Sequence, residues 1–174
     1  MLRRGVLLLR FPAGMLALVG LVLALAVHVA SIRGVDSEAS WPQLWLLHGA
    51  VFPLILLAVL TAWTVAQQRA LSFREFISLV PLPALLLIGL ALVYVLANFV
   101  LLIPESVGGT PLVKDGRFFF NDHGIMFEVT ESEYHFQRSV VLRIYSGVWV
   151  YLYLFAAVLL LGARRAPNPQ LQRG

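Results

Sequence analysis

A chain of 174 residues that is 60% hydrophobic and 13% charged, with a mean hydropathy of +0.85, carries too little charge for a soluble domain of its size. Its net charge of +4 comes from basic residues dispersed at the ends of apolar runs, without the stripe or patch that nucleic-acid binding requires. Cysteine is absent, which excludes a disulfide framework, a thiolate zinc site, an iron–sulfur cluster and a thiol nucleophile.

In chain order, the first apolar run extends from about Phe11 to Ile32 behind Arg3, Arg4 and Arg10. With Ala24-Leu25-Ala26 as a small-x-small site it has the outline of a signal peptide, yet it continues past that site and exceeds the ~7 to 15 residues of a signal core. A retained helix is predicted. Further runs cover about Trp41 to Ala66, Pro83 to Ile103 and Ile144 to Ala163. Each is long enough for ~30 Å of hydrocarbon, which needs about 20 helical residues. Lipid satisfies no backbone polar group and the barrel-strand alternation is missing, so the expected fold is all-α: a four-helix transmembrane bundle.

Three helix starts are written in local chemistry. Ser40-Trp41-Pro42-Gln43 has a capping serine, a first-turn proline and a glutamine placed for a capping box. Ser72-Phe73-Arg74-Glu75 repeats the pattern, with Leu71 and Phe76 spaced as a hydrophobic staple. Thr130-Glu131-Ser132-Glu133 does so again, with Val129 and Tyr134 as its staple and with acids where the helix dipole favours them. Pro81 and Pro83 predict a short helical turn, Phe73 to Val80, that bends before the third span; Pro53 predicts a kink near Gly49. A fourth helix running unbroken from Glu131 to Gly162 is about 48 Å long, about 18 Å more than the hydrocarbon, so its first turns should project as a stalk.

Between the third and fourth spans, Asp115-Gly116 and Asn121-Asp122-His123-Gly124 are turn signals. They divide Leu112-Val113, Arg117 to Asn121 and Ile125 to Val129 into a small β-meander. With Asn121 and Gly124 closing the second turn, Arg117 faces Glu128 and Phe118 faces Phe127; a bulge at Gly124 shifts this by one. Aromatic side chains then occupy both faces, and Phe118, Phe119 and Phe127 are the expected partner-binding residues.

Eight of the thirteen basic residues (Arg3, Arg4, Arg10, Arg69, Arg74, Arg164, Arg165 and Arg173) lie on one side of the spans, and eight of the nine acids, all but Glu75, on the other. The positive-inside rule then puts both termini in the cytoplasm and the segments 33–40 and 104–143 outside.

Polar residues within spans are costly and mark function or helix contacts. His28 lies about 7 Å from the outer end of its helix, His48 and Asn98 about 10 Å, and Arg143 sits at the outer boundary. His28 and His48 either make interhelical hydrogen bonds or bind a cofactor, with haem b or a quinone as candidates and no cofactor as the expectation. Arg138 and Arg143 either snorkel or meet a partner's carboxylate or an anionic headgroup. Tyr94, Tyr151 and Tyr153 each need a hydroxyl partner. Along the fourth helix Tyr145, Trp149 and Tyr153 share one ridge, and Ser139, Arg143, Ser146, Gly147 and Val150 share a small, polar one. Asn98, Gly124, Thr130, Glu133 and Trp149 are expected to be structural. His123 is a turn residue, with no serine or carboxylate placed to make a triad.

No phosphate loop, dinucleotide fingerprint, zincin motif or nucleophile elbow occurs, and twin repeats of a transporter are not evident. The stretch R-F-F-F-N-D-H-G, E-V-T-E-S-E-Y and R-S-V-V-L-R-I-Y-S-G-V-W within residues 117 to 153 resembles the signature region of small uncharacterised bacterial inner-membrane proteins. That resemblance implies a bacterial cytoplasmic membrane and carries no catalytic role. The expected function is a non-enzymatic accessory or scaffold protein that docks an envelope partner, or a second copy, through its hairpin. The alternatives are a haem- or quinone-linked redox subunit and small-molecule or lipid transport.

Overall fold

The computed structural model describes residues 2–68, 70–102 and 109–162. Ile103 and Ala163, expected at span ends, lie outside the described residues, as do Arg69, Arg164, Arg165 and Arg173 and the side chains of Arg3, Arg4 and Phe76. The elements are α1 (Leu2–Ile32), α2 (Ser37–Ser40), a 3-10 turn (Pro42–Trp45), α3 (Leu46–Gln68), α4 (Phe73–Ser78), α5 (Leu82–Leu102), β1 (Thr110–Lys114), β2 (Arg117–Asp122), β3 (Ile125–Val129) and α6 (Glu131–Gly162). Four of these helices are long and apolar enough to cross a membrane.

α1 and α6 run antiparallel and form the spine. Ala13, Ala17, Ala24 and Val27 of α1 are buried with Trp149, Tyr153, Ala156, Ala157 and Leu160 of α6. Small residues permit this approach: a Cβ added at Gly20 would run into the Tyr153 ring, and one at Gly14 into Leu161. At the far end Arg10 donates from Nε to the Leu160 carbonyl. α3 joins the core through Leu47, Val51 and Ala58. α5 differs, since its buried residues are Asn98 and Leu102.

The local signals hold at two of the three predicted starts. Thr130 N–H and Oγ1–H donate to Glu133 Oε2 at 2.8 and 2.7 Å, and Glu133 N–H returns to Thr130 Oγ1 at 3.2 Å, a complete capping box. Ser72 and Glu75 make the same reciprocal bonds at 2.7, 2.6 and 3.4 Å. The predicted box at Ser40 does not form. Ser40 ends α2, whose own cap is Asp36, and Trp41 precedes the 3-10 turn without a side-chain bond. The reason is local competition: Asp36 accepts from the Ala39 amide and closes a helical turn before Ser40 can open one. Pro81 separates α4 from α5, its carbonyl accepting from the amides of Ala84 and Leu85, so the predicted bend is present and α4 stops at Ser78.

The sheet order is β1-β2-β3, antiparallel throughout. Its second register departs from the expectation: Phe118 pairs with Val129, Phe119 with Glu128 and Phe120 with Phe127. The turn contains only His123 and Gly124, both at positive φ (51° and 95°), as does Asp115-Gly116 (52° and 73°). Two-residue turns of this kind match the right-handed twist of the strands, and histidine tolerates the left-handed region well enough to let the twist decide. Arg117 still reaches Glu128, but diagonally, at 3.4 Å.

α6 is unbroken over 32 residues, about 48 Å. The sheet leans on its first turns, where the Phe118 ring lies 4.9 Å from that of Tyr134 and 6.2 Å from that of His135.

Candidate functional site

Near the sheet end of the bundle the small, polar ridge of α6 meets α1 and α5. His28 is 4% exposed; its Nδ1 lies 2.9 Å from Ser146 Oγ and its Nε2 2.5 Å from the Tyr94 hydroxyl. Ser146 Oγ also lies 3.3 Å from the Arg143 carbonyl. Both ring nitrogens of His28 are thus hydrogen-bonded, one towards α6 and one towards α5. Arg143 Nε donates to Asn98 Oδ1 at 3.0 Å, and Asn98 Nδ2 faces the Arg143 carbonyl at 3.5 Å. Gly147 leaves the room for this: a Cβ there would stand 3.3 Å from His28 Cε1 and 3.4 Å from Asn98 Nδ2.

The other ridge of α6 faces α3. Trp149, fully buried, donates from Nε1 to His48 Nδ1 at 2.9 Å, and Tyr153 donates to the Leu47 carbonyl at 2.8 Å. Around His48 stand the rings of Phe52, Tyr145, Trp149 and Trp45, with centroids 5.2, 5.9, 6.1 and 6.3 Å away. His28 and His48 thus belong to separate networks. Both nitrogens of His28 have partners and the lone pair of His48 is taken by Trp149, so in this arrangement neither presents a free lone pair to a haem iron.

A third cluster was not legible in the sequence. Asp36, its side chain 5% exposed, accepts from His135 Nδ1 at 2.7 Å and from Arg138 Nε at 3.1 Å. Arg138 also reaches Glu38 from Nη2 at 3.0 Å and the Tyr134 hydroxyl from Nη1 at 3.1 Å. For Arg138 the expectation is snorkelling, or a partner's carboxylate or an anionic headgroup; in the structure all three of its guanidinium nitrogens engage groups within the chain. The link ties α2 to the first turns of α6 and borders a cavity of about 240 Å³ lined by Glu38, Trp45, Thr110, Pro111, Tyr134, Arg138, Val141 and Leu142. The Asp36-Ser37-Glu38 cap was the available signal; its pairing with residues a hundred positions away was not.

Of the three phenylalanines assigned to a partner, Phe118 is half-buried on α6, Phe119 is half-buried beside Glu128, and Phe127 is 51% exposed on β3. Gly124 anchors its turn by donating its amide to Asn121 Oδ1 at 2.8 Å. Among the described residues no group of three His, Asp or Glu is arranged to hold a metal ion, and no buried side-chain polar atom lacks a hydrogen bond. No protein-family model, curated protein or solved structure matches this chain.

Proposed function

We propose that the protein is a non-enzymatic accessory or scaffold subunit of the bacterial cytoplasmic membrane, crossing it four times with both termini inside, which docks an extended segment of another envelope protein on the free edge of β3. Support for the topology comes from the four apolar helices and from the arginine-rich side of the chain. Support for the docking mode comes from a difference between the two sheet edges. β1 carries Pro111, which has no N–H to offer, and Lys114, both devices that blunt an edge. β3, Ile125-Met126-Phe127-Glu128-Val129, has no proline or lysine, and its first four residues are exposed. This open edge is the observation that carries the reading, because strand addition needs unpaired main-chain groups flanked by side-chain contacts.

The two-residue turn determines which groups are open. Asp122 and Ile125 form the pair next to the turn, so Ile125, Phe127 and Val129 bond to β2 while Met126 and Glu128 point N–H and C=O outward. Met126→Pro removes an outward donor and spares the β2 ladder. Purification in mild detergent from native membranes, with identification of co-eluting proteins, should yield a stoichiometric companion that is lost in Met126→Pro and in Phe127→Ala and retained in Lys114→Ala. A companion that survives Met126→Pro, or no companion at all, overturns the proposal.

A further inference from the structure

Many polar side chains buried in the bundle bond to a neighbouring helix or back to their own helix backbone; His48 is engaged on one side of its ring. The indole nitrogen of Trp149 can only donate, so Nδ1 of His48 is an acceptor and the ring proton sits on Nε2. That N–H has no acceptor among the described residues. Because every buried side-chain nitrogen and oxygen among the described residues is partnered, it opens to the surface of the bundle. Around it the walls are aromatic, with Phe52 and Tyr145 themselves 55% and 41% exposed. On the reading that these helices cross a bilayer, the donor faces lipid, where an unmade hydrogen bond is costly.

We propose that His48 Nε2–H, framed by Trp45, Phe52 and Tyr145, is the anchor of a lateral binding site for a membrane-dissolved molecule that offers a carbonyl oxygen. Two sources share that chemistry: the ring carbonyl of a quinone and the acyl ester of a phospholipid. A flat quinone ring also finds aromatic faces here, while an ester needs only the donor. The site is separate from the β3 edge, so binding and partner co-purification can succeed or fail independently.

Tryptophan emission reads the site directly, since Trp149 is bonded to His48. The full chain in nanodiscs is titrated with a short-chain ubiquinone, once in ester-linked and once in ether-linked phosphatidylcholine. A saturable quenching component in both lipids, weakened about tenfold in His48→Phe as expected for one lost hydrogen bond, supports the quinone source. No saturable quenching, but an emission difference between ester and ether lipids that vanishes in His48→Phe, supports the lipid source. In either case His48→Gln should restore the wild-type response, because its amide can accept from Trp149 and donate outward. Should His48→Phe fail to fold, Tyr145→Leu replaces it, leaving the His48–Trp149 bond intact and removing one wall; it should weaken the signal several-fold. If neither the quenching nor the lipid difference depends on position 48 or 145, the proposal is wrong.

Discussion

α1 and α5 both pack on α6, yet by different physics. The α1 contact is long and mostly apolar, built from alanines and from glycines that admit the Tyr153 and Leu161 side chains, with His28–Ser146 as a polar tie near the sheet end. The α5 contact is short and polar: Asn98 on Arg143 of α6, Tyr94 on His28 of α1, and Leu102 as its buried apolar residue. Between helices in lipid the hydrophobic effect supplies little, because a neighbouring acyl chain is as apolar as a leucine; what remains is close packing or hydrogen bonding. On the reading that these helices cross a bilayer, packing carries most of the spine and hydrogen bonding most of the outlying helix. The spine should be the harder of the two to take apart.

The largest expected effect lies where packing and hydrogen bonding coincide. Trp149→Ala empties a fully buried site and strips His48 of its donor; a loss of about 3 to 5 kcal/mol is expected, read as a lowered unfolding midpoint in detergent. Arg138→Met leaves the buried Asp36 with His135 and the Ala39 amide as its partners. Because Arg138 is partly exposed, a discounted cost of about 2 kcal/mol is expected, seen as faster amide exchange in α2 and the sheet with the lower bundle unaffected. If the sheet exchanges no faster, the Asp36 link does not hold it.

A sharper test of the comparison is to loosen α5 alone. Tyr94→Phe with Asn98→Leu removes both polar ties, together worth about 1 to 2 kcal/mol. The chain has no cysteine, so Leu102→Cys, at a fully buried position, provides a single reporter. Its maleimide labelling should speed up about tenfold in the double variant, while Ala17→Cys on α1 labels as slowly as before. Equal acceleration at both positions would show that the two contacts are not independent.

The smallest expected effect is at α4. Bonds from the Ser72 hydroxyl and amide hold the Glu75 carboxyl below its ordinary value of 4.5. A lowered folded value means the ionised form is favoured in the folded state. The contribution is therefore present above the ordinary value and fades as pH falls through the lowered one. The Ser72 amide should lose protection against exchange in that acidic range. Glu75→Gln should remove most of the pH dependence.

What the sequence alone determined is what neighbours in the chain decide. Apolar runs of bilayer length made the four long helices, because a helix satisfies its backbone within itself. The pairs Thr130/Glu133 and Ser72/Glu75 placed two helix starts through bonds spanning three residues, Pro81 placed the break, and Asp115-Gly116 placed the first turn; the second was legible only as a four-residue signal from Asn121 to Gly124. The same locality explains the miss at Ser40, where a competing cap four residues earlier won. The two ridges of α6 were also legible, since spacing on a helix fixes which side chains share a face.

Only the tertiary structure decided which ridge met which helix, that Trp149 donates to Nδ1 of His48, and that Asp36 pairs with Arg138. These choices depend on groups a hundred residues apart in the chain and about 3 Å apart in space. The strand register belongs with them. Asn121-Asp122-His123-Gly124 permits more than one turn, and the two-residue form that occurs sets which main-chain groups of β3 point away from β2.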